Sequence, residues 1–162
     1  MALSIHSDAS YLSEAKARSR AAGYYHLTDP LPNPNNPPRP TDTPQWRNGA
    51  ILVLSSIMPM VLSSATEAEL AALFYNAKEA CTLRTTLEEM GHPQQPTPIQ
   101  TDNEVAVGLA HDTVKQRRSK AMDMRFYWLR DRIAQRQFLI YWRKGSDNDA
   151  DYFSKHHATK HH

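Results

Sequence analysis

Between Asp29 and Asn48 the chain carries seven prolines (Pro30, Pro32, Pro34, Pro37, Pro38, Pro40 and Pro44), interleaved with Asn33, Asn35 and Asn36. Proline fixes φ and donates no backbone N–H, so neither a helix nor a central strand can run through this stretch. The chain is thereby divided into a short first part and a long second part, joined by a loop insertion over 29–48 that reads as disordered. Before the loop, Leu3 and Ile5 alternate with Ser4 and His6 in a short strand ending at Asp8. Arg18 to Leu27, with Tyr24 and Tyr25, reads as a second strand paired with it in a hairpin. After the loop, Ala50 to Ser56 is apolar and rich in strand formers, which predicts a third strand of the same sheet.

From Ala65 the period changes from two to 3.6. Ser63 and Ser64 stand as N-cap candidates, a helix is predicted over Ala65 to Met90, and Gly91 and Pro93 stop it. Its apolar stripe is Leu73, Ala80, Leu83, Leu87 and Met90. Thr97 to Asp102 follows as a short strand, then a helix over Glu104 to Ala110. A third helix, from roughly Ala121 to Arg136, carries Met122, Phe126, Leu129 and Ile133 at spacings of three and four. Gln137 to Arg143 alternates as a strand, and Asp149 to His156 reads as a short closing helix. The order is β-β-β-α-β-α-α-β-α, an antiparallel start followed by α/β crossovers.

At 162 residues the chain is long enough to form one domain, 1–162, with its own core. Its 40% apolar and 22% charged residues exclude a wholly disordered, collagenous or coiled-coil chain. Cys81 is the only cysteine, which excludes an internal disulfide framework and a cysteine-rich zinc site and fits a reducing compartment. The longest apolar stretch, Ile51 to Leu62, is broken by Ser55, Ser56 and Pro59, too short for the roughly 20 residues that span a bilayer. Met1 to Asp8 has no basic segment leading an apolar one, so a secretory signal is not expected.

Four acids fall at the ends or starts of these elements: Asp8, Glu69, Asp102 and Asp151. At about 100° per residue, Glu69 lies on the same stripe as Leu73, Ala80, Leu83 and Leu87, whereas Glu67 points nearly opposite. A carboxylate in line with an inward stripe is costly unless it is paired or holds a metal. The competing account is that Glu69 favours the positive end of the helix dipole. Several carboxylate oxygens around one point suit Mg²⁺ or Mn²⁺. Two such ions about 4 Å apart would support in-line phosphoryl displacement by water, which is nuclease chemistry.

Five segments, in order, resemble one family. SDASY at Ser7 to Tyr11, followed by ARSRAAGYYHL, is similar to the opening of ribonuclease H domains in copia-type retrotransposon polyproteins. SSATEAELAAL at Ser63 to Leu73 resembles that family's T-E-A-E-Y/L-x-A-L helix start, and QTDN at Gln100 to Asn103 its x-x-D-N. RSKAMDMRFYWLRD, Arg118 to Asp131, resembles the S-K-H-I-D-I-R-x-H-F-I-R-E helix, and NDADYFSK, Asn148 to Lys155, the x-x-A-D-x-x-T-K segment. The resemblance implies an α/β ribonuclease H-like fold, with a five-stranded mixed sheet and helices on both faces. It also implies a metal-dependent endoribonuclease that cuts the RNA strand of RNA/DNA hybrids with two ions, Mg²⁺ or Mn²⁺. By position it assigns Asp8, Glu69, Asp102 and Asp151 as catalytic, metal-binding acids, with Asp149 the nearest competitor for the fourth place and Asp147 a weaker one.

The chain departs from the family at named places. Cellular relatives carry a mobile histidine in the loop before the fourth acid. Gly145 to Asp149 has none, which leaves Lys144 or Arg143 as candidates to assist product release. Ala121 stands where the family often has histidine, and Ser154 replaces a frequent threonine. The polymerase and integrase regions of such polyproteins lie outside this sequence, so a fragment, a degenerate copy and a domesticated domain all fit. A reverse transcriptase domain is therefore an expected partner beside the hybrid, and a monomer without membrane contact is expected. The resemblance gives an intracellular location and does not divide cytoplasmic particles from the nucleus.

From Thr113 to Arg136 eight basic residues face two acids, a local charge of +6 that leaves −4 for the remainder. Lys115, Arg117, Arg118, Lys120 and Arg125 are the candidate nucleic-acid contacts, able to track phosphates without reading sequence. A solvated basic helix face is the alternative. Trp128 and Trp142 read as core residues rather than stacking platforms. The tail, 156–162, holds His156, His157, His161 and His162, and reads as a frayed terminus rather than a metal site. Two further readings stand beside the nuclease: a catalytically silent nucleic-acid-binding domain of the same fold, and a transposase or integrase core, which would need a different order of acids.

Overall fold

The computed structural model describes residues 1–43, 48–111, 120–158 and 160, with backbone alone at 120–123. Five strands form one mixed sheet: β1 (Ala2–Glu14), β2 (Arg18–Thr28), β3 (Ala50–Ile57), β4 (Thr97–Thr101) and β5 (Phe138–Trp142), in the spatial order β3-β2-β1-β4-β5. The first three pair antiparallel, while β4 runs parallel to both β1 and β5. The helices are α1 (Ala65–Glu89), α2 (Glu104–Ala110), α3 (Lys120–Ala134) and the four-residue α4 (Asp151–Ser154).

Alternation along the strands sends Leu3 and Ile5 of β1, Ile99 of β4, and Phe138 and Ile140 of β5 into one core with Leu70, Leu73, Ala77 and Ala80 of α1 and Leu129 of α3. The start of α1 is fixed by reciprocal bonds. Ser64 Oγ accepts from the Glu67 N–H at 3.1 Å, and the Glu67 carboxylate accepts from the Ser63 N–H at 2.9 Å. Glu67 is thus buried as a capping group rather than turned to solvent, because its side chain folds back over the helix end. At the other end Met90 is 68% exposed and leaves the predicted stripe. The inward place there is taken by Arg84, whose Nη1 donates to the Gln95 carbonyl and to Thr97 Oγ1, both at 2.7 Å.

Three expectations need correction. β1 does not stop at Asp8 but continues to Glu14, because Asp8, Ala9 and Ser10 keep pairing with Ala22, Ala21 and Arg20. α4 is shorter than Asp149 to His156, since Asp149 and Ala150 form the turn that leads into it. The proline-rich loop is ordered over its described residues. An Asx turn bonds the Asn35 N–H to Asn33 Oδ1 at 3.0 Å, the Arg39 N–H donates to Asp42 Oδ2 at 2.7 Å, and Arg136 Nη1 reaches Asn35 Oδ1 at 3.1 Å. Proline stiffness lowers the entropy lost in holding such a loop. Pro44 lies outside the described residues. In the tail, His156 bonds Glu14 Oε1 at 3.0 Å and His157 stacks on Tyr152 at 4.3 Å; His161 and His162 fall outside the described residues.

Asn76 sits on the Glu69 stripe of α1, fully buried, and ties helix to sheet. Its Nδ2 donates to Ser7 Oγ and to the Ala22 carbonyl, both at 2.9 Å, while its Oδ1 accepts from the Tyr25 hydroxyl at 2.6 Å. This contact needs a glycine at position 23, where a Cβ would stand 2.0 Å from Asn76 Oδ1. Gly23→Ala should lower unfolding free energy by about 2 kcal/mol or more, through overpacking and a broken buried bond. Urea denaturation of the two proteins checks this, and equal midpoints would refute the packing described.

Candidate active site

The sheet register brings the first two acids together. His6 pairs with Gln100 across the parallel β1–β4 contact, so Asp8 and Asp102, each two residues further on, emerge side by side. Asp8 is still within β1, whereas Asp102 lies just past the end of β4. Glu69, one turn into α1, reaches the same point from the core side. Its Oε1 accepts from the Ala9 N–H at 3.0 Å and its Oε2 from Thr101 Oγ1 at 3.4 Å. One carboxylate oxygen from each of Asp8, Glu69 and Asp102 lies within 4.8 Å of the others.

These groups are held against their chemistry. Asp8 and Glu69 are 3% and 7% exposed, and Asp102 is half-buried. Burial first, then the neighbouring Asp102 and Asp151 carboxylates, push the Asp8 carboxyl up to about 6, even though a Ser154 hydroxyl bond opposes the shift. Burial, Asp8 and Asp102 raise Glu69 well above the carboxylate range, and burial with Asp151 raises Asp102. Hard oxygen donors from three elements, buried together and short of positive charge, fit a divalent cation of the Mg²⁺ or Mn²⁺ type.

Asp151 stands beside this trio without joining it: its carboxylate is paired with the Lys155 ammonium, four residues on. Ser154 Oγ donates to Asp8 Oδ2, so α4 and the residue after it touch both acids. Asp149 turns elsewhere, with Oδ2 at 3.5 Å from His6 Nδ1, and Asp147 lies 3.8 Å from Arg143 Nε. Gly145 lets its loop approach the site, since a Cβ there would come within 2.9 Å of Asp102 Oδ2. Asn103, next to Asp102, caps α2 by accepting from the Ala106 N–H at 2.9 Å.

Among the candidate nucleic-acid contacts, Lys115, Arg117 and Arg118 lie outside the described residues, as does the Lys120 side chain. Arg125 is half-buried, its guanidinium 5.8 Å from the Phe74 ring and 5.9 Å from the Tyr75 ring. It lines a groove of about 280 Å³ with Phe74, Lys78, Met124 and Trp128, which combines apolar and cationic surface. Trp128 also meets Phe74 edge to face at 5.3 Å and packs on the core as expected. Sequence reasoning did not find Asn76, Ser154 or Lys155 as supports of the site. Asn76 was accessible to it, because it shares the stripe that singled out Glu69.

With this geometry in view, the similarities to known proteins are specific. The chain is 29% identical over 110 residues to the retrovirus-related Pol polyprotein from transposon TNT 1-94 of Nicotiana tabacum, covering 68% of the chain and 8% of that polyprotein. Its fold matches LC11-RNase H1, solved in complex with an RNA/DNA hybrid, with a TM-score of 0.62 and 12% identity, covering 93% of this chain and 92% of that one. The chain has a ribonuclease H-like fold and resembles one part of a retrotransposon polyprotein. The N-terminal RNase H domain of Rv2228c from Mycobacterium tuberculosis matches with a TM-score of 0.59 and 12% identity, covering 94% and 90% of the two chains. The prototype foamy virus protease–reverse transcriptase matches with a TM-score of 0.50 and 13% identity over 94% of this ribonuclease H-like chain and 20% of that one. No protein-family model matches the chain.

The raised acids give the metal-free domain a pH dependence of definite sign. Folded Asp8 keeps its proton up to about pH 6, while the unfolded chain releases it near 3.8. The folded state therefore binds more protons between these values, and stability falls as pH rises through them. The Asp8 contribution to this loss is about 3 kcal/mol in full, and roughly half of it lies between pH 5 and 7.5. In EDTA, urea midpoints should be higher at pH 5 than at pH 7.5; a rise with pH instead would contradict the uncompensated cluster.

Proposed function

We propose that this domain is a metal-dependent endoribonuclease that cleaves the RNA strand of RNA/DNA hybrids, in the manner of copia-type elements. The observation that carries the reading is the convergence of Asp8, Glu69 and Asp102 from three separate elements to one point of a ribonuclease H-like sheet. Asp8 and Asp102 would anchor the divalent ions, two Mg²⁺ or Mn²⁺. Glu69, held by the Ala9 N–H and the Thr101 hydroxyl, would keep its carboxylate aimed at both the first ion and the attacking water. Asp151 would complete the second position once released from Lys155. The ions supply Lewis acidity toward the scissile phosphate and the charge that the cluster lacks.

Substrate binding has its own supports. Arg125 and Lys78, with Phe74 and Trp128, present a cationic and aromatic groove between α1 and α3. The basic segment containing Lys115, Arg117, Arg118 and Lys120 adds charge next to it in sequence. Solved relatives include a complex with an RNA/DNA hybrid and a protease–reverse transcriptase, which supports the hybrid as substrate and a polymerase domain as partner in a parent polyprotein.

A second reading, the catalytically silent binding domain, is favoured by one observation: Lys155 occupies Asp151 and Ser154 occupies Asp8. The two readings part in a cleavage assay on a labelled hybrid, with single-stranded RNA and duplex DNA as controls. The nuclease reading expects Mg²⁺- or Mn²⁺-dependent cutting of the hybrid's RNA strand, reduced at least about 10²-fold in Asp102→Asn with the circular dichroism spectrum unchanged. Hybrid binding by the folded wild type without cutting under either metal would establish the silent domain.

A further inference from the structure

The sheet face opposite α1 holds a cavity of about 400 Å³ whose roof is the proline-rich loop, residues between 31 and 43. We propose that this cavity is a binding site for a nucleobase, separate from the acid cluster.

Its floor comes from four of the five strands: Ser4 and His6 of β1, His26 of β2, Gln100 of β4, Tyr141 of β5, and Arg143 immediately after it. All six are more than nine-tenths buried. A loop that only covers a sheet is met by apolar side chains, as α1 is met on the other face by Leu3, Ile5, Ile99 and Ile140. Here the covered side chains all carry hydrogen-bonding groups, which is costly unless something satisfies them. The protein supplies partners within the set. The Tyr141 hydroxyl donates to Gln100 Oε1 at 3.2 Å, Gln100 Nε2 donates to the Asp147 carbonyl at 3.0 Å, and the Asp149 N–H donates to His6 Nδ1 at 3.1 Å. Arg143 Nε, buried, is paired with Asp147 Oδ2 only at 3.8 Å and has no acceptor within hydrogen-bond distance among the described residues.

Shape and charge narrow the ligand. The roof mixes the apolar Pro32, Pro37 and Pro38 with polar Asn33, Asn36 and Thr43, so apolar rings and hydrogen-bonding groups both line the cavity. That mixture suits a flat molecule with a hydrophobic face and hydrogen-bonding edges. Formal charge is balanced inside, with Arg39 and Arg143 against Asp42 and Asp147, which favours an uncharged occupant over an anion. The volume lies in the range of small-molecule sites, roughly 300–1,000 Å³. A nucleobase meets each requirement, either in a free nucleoside or as an unstacked base of a strand. The roof is tied to the floor by the bond from Arg143 Nη2 to the Asp42 carbonyl, so an occupant would be held by both.

The test is calorimetric titration of the full chain in EDTA with guanosine, adenosine, cytidine and uridine, and with single-stranded trinucleotides carrying the same bases. Histidine ring resonances are followed in parallel by NMR. At least one nucleoside or trinucleotide should bind one to one with Kd below about 1 mM, shift the His6 and His26 ring signals, and bind at least tenfold more weakly to Gln100→Leu and His26→Leu. Tighter binding of the trinucleotide than the nucleoside would identify a strand-borne base as the occupant; equal or weaker binding would identify a free nucleoside. The wild-type ring shifts decide the matter even where a variant fails to fold. Absence of heat and of His6 and His26 shifts at 10-fold above that concentration would overturn the proposal, as would binding that appears only when the titration is repeated with Mg²⁺ in place of EDTA.

Discussion

Three carboxylates that repel one another are kept within 4.8 Å at one point of the sheet, and the surrounding architecture is organised around holding them there. The parallel register of β1 on β4 sets Asp8 beside Asp102, while the capped start of α1 sets Glu69 beneath both. The cost shows in the raised proton affinity of all three groups. It is borne by packing elsewhere: the Asn76 network joins α1 to β1 and β2 and leaves the helix no freedom to back away from the sheet. A cation at the cluster would turn that repulsion into attraction, so the same geometry that weakens the metal-free domain would serve its chemistry.

The strand and helix order was legible because each element obeys one simple period. Leu3 and Ile5 alternate, Leu73 and Ala80 recur at helical spacing, and Ser64 caps its helix as its residue type suggests. Glu69 was legible for a physical reason, as a charge on an inward stripe. What was hidden had pattern against it. The second half of β1 runs out of the core, with Tyr11 and Leu12 exposed, so alternation of apolar residues ends at Asp8 although pairing does not. Glu67 looked solvent-facing by helical phase, but its side chain was free to fold back as a cap.

The proline-rich loop illustrates the limit of composition. Prolines and asparagines exclude regular structure, yet they also make turns, and the described part of this loop is held by short-range turn bonds and by Arg136 and Arg143 from β5's two ends. Nothing in its sequence says which surface it covers. The complementary signal lies on the sheet, where His6, His26, Gln100 and Arg143 are polar residues at positions that a bare packing interface would fill with aliphatic ones. The two sheet faces thus differ in kind: one is an apolar core under α1, the other a polar floor under a loop.

The central claim, that Asp8, Glu69 and Asp102 make one cation site, is tested most directly by titrating the folded domain with Mn²⁺ and following the loss of free-ion electron paramagnetic resonance signal. The account predicts saturable binding by the wild type, weakened at least tenfold in a folded Glu69→Gln protein. Undiminished binding by that variant, or no binding by the folded wild type, would contradict it.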